Sequence, residues 1–155
     1  MVIVGKFTKE GEGKIIAGKN LSINKSVKII ITKGAELVFG DNIDVNQEVI
    51  IGCKTRITIG AYSIIGPRTI IFDSDWHGID GLESQSAPIK IGNHVWICAN
   101  VTILKGITIG DNAIVGACSV VTRDIDASSI VAGNPARKIG VTQTGYTYVK
   151  HHKDD

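Results

Sequence analysis

Between Ile91 and Asp126 the chain repeats in sixes. The first residue of each six is aliphatic: Ile91, Ile97, Ile103, Ile109, Val115 and Val121. The fifth is small or aliphatic: Val95, Val101, Ile107, Ala113, Ser119 and Ile125. An amphipathic helix repeats its apolar face every 3.6 residues and a half-buried strand every two, so neither produces this period. A fixed six sustained over consecutive units predicts a β-solenoid of hexapeptide coils. The fifth position of one unit and the first of the next lie two residues apart. Both therefore fall on one face of a short strand and point into a shared core. Gly92, Gly110 and Gly116, at second positions, permit the corner, where a Cβ is often strained. Each buried Ile or Val contributes roughly 1.5–3 kcal/mol, so Ile103→Asp is expected to break the stack.

The pattern extends towards the N-terminus. Sixes stepped back from Ile57 reach Ile51, Val45, Phe39, Lys33, Val27, Leu21 and Ile15; only Lys33 fails, beside Gly34, which indicates a turn or an outward lysine. Ile31, Leu37, Ile43, Val49 and Thr55, two residues earlier in each case, are the expected inward partners. The phase slips by two between Ile57 and Ile59, then holds through Ile65 and Ile71 with Ser63 and Thr69 as fifth residues. It stops over 72–88 and resumes at Ile89 or Ile91. A polar interruption of this length in a regular scaffold is more often functional than accidental. The expected organisation is one domain over 1–155, long enough for seven or so coils. It has a hexad core over about 15–139, a protruding loop over 72–88 and a tail over 140–155. The residues before Ile15 are expected to cap the hydrophobic end, as terminal repeats of solenoids do.

Two features carry a family resemblance: Ile-Gly starts at three sixes per triangular coil, and the closing runs Val121-Thr122-Arg123-Asp124-Ile125 and Ile130 to Arg137. Together they resemble the hexapeptide-repeat acyltransferases, in the sugar O-acetyltransferase branch that includes maltose, galactoside and capsule or lipopolysaccharide acetyltransferases. The resemblance covers about Ile15 to Ile139. It implies an all-β fold, the left-handed parallel β-helix. The handedness comes from the resemblance, since the usual crossover preference is right-handed. It also implies acetyl-CoA as co-substrate and a homotrimer with active sites between subunits. The acceptor it implies is a small molecule: a sugar, nucleotide sugar or lipid-linked sugar.

Composition fits that picture. Aromatic content is low, with two Trp, three Tyr and three Phe, as suits a narrow prism filled by Ile and Val. Seventeen Lys and Arg against 15 Asp and Glu leave a net charge of +2 with both signs dispersed, which argues against a nucleic-acid groove. Cys53, Cys98 and Cys118 are odd in number and widely spaced, so a reducing compartment is the natural reading. The first residues carry no long apolar run behind a basic start, so neither a signal peptide nor membrane insertion is expected. The expected location is the cytoplasm.

The interruption contains His77, within Asp73-Ser74-Asp75-Trp76-His77. The resemblance implies that this histidine is the catalytic base. The chemistry requires one, because an alcohol attacks a thioester poorly until its proton is removed. Imidazole, ordinarily titrating near pH 6.5, suits that task. Coenzyme A leaves as a thiolate and needs less help; a backbone N–H or polar donor can hold the oxyanion. Asp73 or Asp75 either orients the ring or serves a turn. For a lone loop histidine the plain reading is an exposed side chain. The repeat, the loop position and the closing motif together favour the base.

Further site residues follow from the resemblance alone. Asn46 matches an acceptor-binding asparagine, although the spacing does not separate it from Gln47. Trp96 lies beside the acceptor or pantetheine arm, or at a subunit contact. Trp76 either stacks on a sugar face or anchors the loop. The donor positions are Ala99, Ala117, Thr122, Arg123, Asn134, Pro135 and Arg137, with the arginines placed to meet phosphates. Cys98 and Cys118 stand where the family commonly has Gly or another small residue, and Asp126 replaces a frequent proline.

Other readings are weaker. The metal-dependent enzymes that share such prisms hold zinc through three histidines. Here His77 and His94 lie 17 residues apart without the HxxxxH pair, so no metal is expected. His151 and His152 belong to the polar tail. An O-acetyltransferase for serine or an antibiotic is the rival enzyme, and a non-catalytic structural or binding β-helix is the rival of another class. An ice-binding ladder is not formed by Thr58, Thr102 and Thr108.

Overall fold

The computed structural model describes residues 7–143, and these contain strands and corners but no helix. The chain begins with β1 (Thr8–Glu10), β2 (Lys14–Ala17), β3 (Ser22–Ile23), β4 (Lys28–Ile31), β5 (Glu36–Phe39), β6 (Asp44–Val45) and β7 (Ile50–Cys53). It continues through β8 (Arg56–Ile59), β9 (Ile64–Ile65) and β10 (Ile70–Phe72) to the interruption. Beyond that lie β11 (Ile89–Ile91), β12 (Trp96–Ile97), β13 (Thr102–Ile103), β14 (Thr108–Ile109), β15 (Ile114–Val115), β16 (Val120–Val121), β17 (Ser129–Gly133) and β18 (Ala136–Val141).

Strands three apart are neighbours. The first sheet stacks β1, β4, β7, β10, β13 and β16; the second β2, β5, β8, β11 and β14; the third β3, β6, β9, β12, β15, β17 and β18. Pairing is parallel until the closing β17–β18 hairpin. A chain that returns to the same sheet at every third strand forms a three-sided prism. This is the left-handed parallel β-helix expected from the resemblance.

The core follows the hexad. All six first positions and all six fifth positions between Ile91 and Ile125 are buried. Ser63 and Thr69, polar residues at inward positions, are satisfied by backbone of the next coil. Ser63 Oγ donates to Gly92 O at 3.0 Å and accepts from Val95 N at 3.0 Å, and Thr69 Oγ1 donates to Cys98 O at 3.1 Å.

The N-terminal coils depart from strict sixes. Stacked residues Ile29, Ile51, Ile71, Ile103 and Val121 are 22, 20, 32 and 18 residues apart, so only the last step equals three sixes. The extra length widens individual sides of the prism. Val27, Ile29 and Ile31 are all inward and buried, as are Ala35, Leu37 and Phe39, and Val49, Ile51 and Cys53. Lys33 falls in the exposed turn between two such sides, where Gly34 has a φ of +84°. Thr55, expected inward, is exposed at the next such corner because Cys53 already fills the third inward place. Longer sides and the insertion leave six strands in the first sheet, fewer than seven coils require.

The corners explain the glycines differently from the sequence reading. Left-handed φ occurs at the fourth position of the six: 53° at His94, 56° at Asn100 and 60° at Asn112 and Cys118. The second-position glycine answers to close approach instead. A Cβ on Gly92 would fall 2.8 Å from the Asp111 amide nitrogen of the coil above. Corner side chains also stack vertically: Asn20 Nδ2 donates to Asn42 Oδ1 at 3.0 Å, and the Tyr62 and His94 rings lie parallel with centroids 4.9 Å apart.

The strands reach beyond the expected 15–139 span at both ends. Phe7 packs partly against the core before β1, and β18 continues to Val141, followed by Thr142 N donating to Ser128 O at 2.9 Å. Residues 144–155, with His151 and His152, lie outside the described residues.

Candidate active site

The interruption leaves the prism between the first and second sheets, from the end of β10 to the start of β11. Its two legs are tied together. Ser74 and Ser86 form an antiparallel bridge, Asp75 N donates to Gln85 O at 3.0 Å, and Ala87 N donates to Asp73 O at 2.9 Å. It is also tied to neighbouring coils. Below, the fully buried Asp73 carboxylate receives Lys54 N at 2.7 Å, Thr55 N at 2.8 Å and Thr55 Oγ1 at 2.9 Å. Above, Lys105 Nζ meets Asp75 Oδ1 at 2.7 Å, and Gly106 N donates to Ala87 O at 3.0 Å.

His77 emerges from this stalk with an exposed side chain. With Asp75, Ile79, Leu82, Glu83 and Gln85 it lines an open hollow of about 210 Å³. Its backbone N–H donates to Asp75 O at 2.8 Å. No side chain among the described residues hydrogen-bonds its ring, and both carboxylates considered for that role have other partners. Asp73 binds the coil below, and Asp75 pairs with Lys105. Trp76 does not line the hollow. Its ring lies edge-on to Phe72 at 5.9 Å, with the Lys54 ammonium 4.8 Å from its centroid.

Several of the other positions gather at another corner. Gln47, Pro67, Ala99 and Ala117 stack where the third sheet turns into the first: Arg68 N donates to Gln47 O, Asn100 N to Pro67 O and Cys118 N to Ala99 O, at 3.0, 2.9 and 3.0 Å. Asn134 and Pro135 form the tip of the β17–β18 hairpin just beyond. Asn46 precedes Gln47 at this corner but ties its Nδ2 to Ile65 O at 3.1 Å; Gln47 is the exposed one. Trp96 lies on the outer face of the third sheet, between Ile64 and Ile114, and is 38% exposed. Thr122 and Arg123 follow β16, and Arg123 meets Arg137 and Lys138 around a cavity of about 170 Å³.

The first sheet thus has predicted site residues on both edges, with Thr122 and Arg123 of the last coil on the same edge as the loop. His77 is at one edge; the alanine column, Asn46 and Gln47 are at the other. Burial raises the Cys98 thiol, on the alanine side, above its ordinary titration range. Among the described residues no group of three or more His, Cys, Asp or Glu converges as a metal site, and no helix is long and apolar enough to cross a membrane. The residues that sequence reasoning missed are Lys54 and Lys105. Each sits in a turn one coil away, and no local signal marked it.

A parallel three-sided solenoid defines a structural class, and comparison with known proteins agrees. Residues 88–123 match the family described as bacterial transferase hexapeptide (six repeats). The chain is 37% identical over 120 residues to WcaF of Escherichia coli (strain K12), named for acetyl transfer in colanic acid biosynthesis, covering 77% of this chain and 65% of that protein. It is 32% identical over 142 residues to WbbJ of the same organism, named for O-acetyl transfer in lipopolysaccharide biosynthesis, covering 83% and 72%. A hexapeptide-repeat acetyltransferase of Vibrio cholerae O1 biovar eltor, solved with acetyl coenzyme A, superposes with a TM-score of 0.57 at 30% identity, covering 84% and 70%. The chain belongs to the bacterial hexapeptide-repeat transferase family. It spans 65% of the length of WcaF.

Proposed function

We propose that the protein transfers an acetyl group from acetyl-CoA to a hydroxyl of a sugar or sugar-like small molecule, with His77 as general base. The observation that carries this reading is the exposed imidazole of His77, unbonded by any described side chain, at the wall of a hollow on a tied loop. In the reaction the neutral imidazole takes the hydroxyl proton as the oxygen attacks the thioester carbonyl. The new C–O bond forms, the C–S bond breaks, and the imidazolium returns the proton to the departing thiolate. Free coenzyme A and the acetyl ester are the products. The names of WcaF and WbbJ, which point to colanic acid and lipopolysaccharide biosynthesis, support a carbohydrate acceptor.

The donor lies along the corner of Ala99 and Ala117 in this reading, where side chains are small enough for a pantetheine arm. Arg123 and Arg137 hold its phosphates, and Thr122, Asn134 and Pro135 frame it. Asn46 or Gln47, with Trp96, contacts the acceptor. One chain holds its base and donor corner on opposite edges of one face, so a second chain must complete the site. A closed cyclic homotrimer does this with one repeated interface. The odd, widely spaced cysteines support a cytoplasmic setting. The test is a thiol-release screen with acetyl-CoA against sugars, nucleotide sugars and amino acids. Acceptor-dependent release with a sugar supports the reading; release only with an amino acid, or with no acceptor, contradicts it.

A further inference from the structure

Trp76 immediately precedes His77, so whatever fixes its backbone fixes the origin of the imidazole. The residue has a left-handed φ of 63°, a conformation with a cost that its surroundings must offset. Its indole sits in a notch on the first sheet. A Cβ on Gly52 would come within 2.7 Å of the Phe72 ring and 2.9 Å of the Trp76 ring, so only glycine leaves room for the pair. The indole N–H is buried and has no acceptor among the described residues, so packing rather than a hydrogen bond holds the ring.

Two side chains give the polar hold: Ser74 Oγ accepts the Trp76 N–H at 3.0 Å from within the loop, and Lys54 reaches in from the coil below. Lys54 Nζ donates to the Trp76 carbonyl at 3.3 Å and to Ser84 Oγ at 3.4 Å, and lies 4.8 Å from the indole centroid. It therefore contacts the residue before His77 and, through Ser84, the returning leg of the loop. Its own backbone is fixed, because Lys54 N donates to the buried Asp73 carboxylate at 2.7 Å. A partly desolvated ammonium over an indole face is an attractive contact that favours the loop position in which the two meet.

We propose that Lys54 is a positioning residue for His77: by clamping the Trp76 carbonyl and indole and the Ser84 hydroxyl, it sets where the imidazole stands. This rests on His77 being the base. Lys54 touches no reacting atom; it acts through the backbone of Trp76.

The test uses the full chain with Lys54→Met, which keeps length and loses the cation, and Lys54→Arg, which keeps the cation. The primary readout is the ¹⁵N order parameter of the His77 amide, which needs no acceptor. The expected values are about 0.85 for the parent and Lys54→Arg and below about 0.6 for Lys54→Met. A Lys54→Met value equal to the parent's overturns the proposal, as does equal loosening in both variants. The second readout is a double-mutant cycle on turnover. Lys54→Met should lower kcat about 10- to 100-fold, with KM for acetyl-CoA unchanged, and should cost nothing further in a His77→Ala background. A loss that persists without His77 overturns positioning through that residue. Should His77→Ala alone keep the parent's rate, the base assignment fails, while the order parameters still report whether Lys54 holds the loop.

Discussion

Asp73 and Thr55 join two coils through a single carboxylate oxygen: Asp73 Oδ2 accepts the Thr55 amide at 2.8 Å and the Thr55 hydroxyl at 2.9 Å. Asp73 is fully buried, and its other oxygen takes Lys54 N at 2.7 Å. The loop that carries His77 thus starts from a satisfied buried charge and not from a free end. Asp73→Ala removes three acceptor contacts and leaves two backbone donors without partners. Chemical denaturation should show a loss of about 3 kcal/mol, since bonds to charged groups contribute roughly 1.5–3 kcal/mol each and do not add fully. A loss below about 1 kcal/mol would show that the carboxylate does not tie the loop.

The prism itself rests on its aliphatic ladder. Ile103 is fully buried, with Ile71 on one side and Val121 on the other. Ile103→Ala should cost about 3 kcal/mol, within the roughly 2–5 kcal/mol range for such truncations. Lys33, whose side chain is 87% exposed, makes a 4.0 Å ion pair with Glu12 as its one ion pair among the described residues, and Lys33→Ala should change stability by less than about 0.5 kcal/mol. Equal losses in the two variants would contradict the assignment of inward and outward positions.

Much of this was legible in the sequence where the period is strict. Every first and fifth position from Ile91 to Ile125 is inward, because each side of the prism there holds two inward residues and a fixed corner. Legibility fell where sides hold three. Val27, Ile29 and Ile31 read as one strand, but a count by sixes then lands on the turn residue Lys33. At the site, the broken period revealed the loop around His77. The partners of that loop were hidden, because Asp73 and Trp76 are held from Lys54 and Thr55, about one coil away in sequence. A local pattern carries no record of what stacks beneath it.

Thiol chemistry should differ between the cysteines. The Cys53 thiol is pushed up to about 12 by burial, reinforced by the neighbouring Asp73 carboxylate. Cys118 is exposed, and Cys98 is half-buried. Iodoacetamide at pH 8, followed by mass spectrometry, should modify Cys118 first, Cys98 more slowly, and Cys53 only on unfolding. The linkage has a definite sign. Folding raises the Cys53 value above its unfolded value of 9.0, so the unfolded chain loses that proton first. This contribution to stability is full below pH 9 and is lost as pH rises towards about 12. Early modification of Cys53 in the folded chain would contradict its burial.

The donor corner can be blocked without touching the core. Ala117 is exposed, whereas Val115 and Ser119 on either side are the inward residues. Ala117→Trp should therefore keep the parent's thermal midpoint within a few degrees while weakening coenzyme A binding at least about tenfold, or roughly 1.4 kcal/mol, by calorimetry. Unchanged affinity in the folded variant would move the donor to another surface.

His77 is the base in the proposed reaction, and the measurement that tests it most directly is the turnover of His77→Ala on the acceptor found by thiol release. The loop residue lies outside the ladder, so the variant should fold and bind coenzyme A like the parent. Its turnover should fall by about 10²- to 10⁴-fold, the range for a positioned proton acceptor. His94→Ala, which loses only the stack on Tyr62, should keep turnover near the parent's. A His77→Ala protein that retains most of the parent's rate would contradict the account and leave the loop a structural feature.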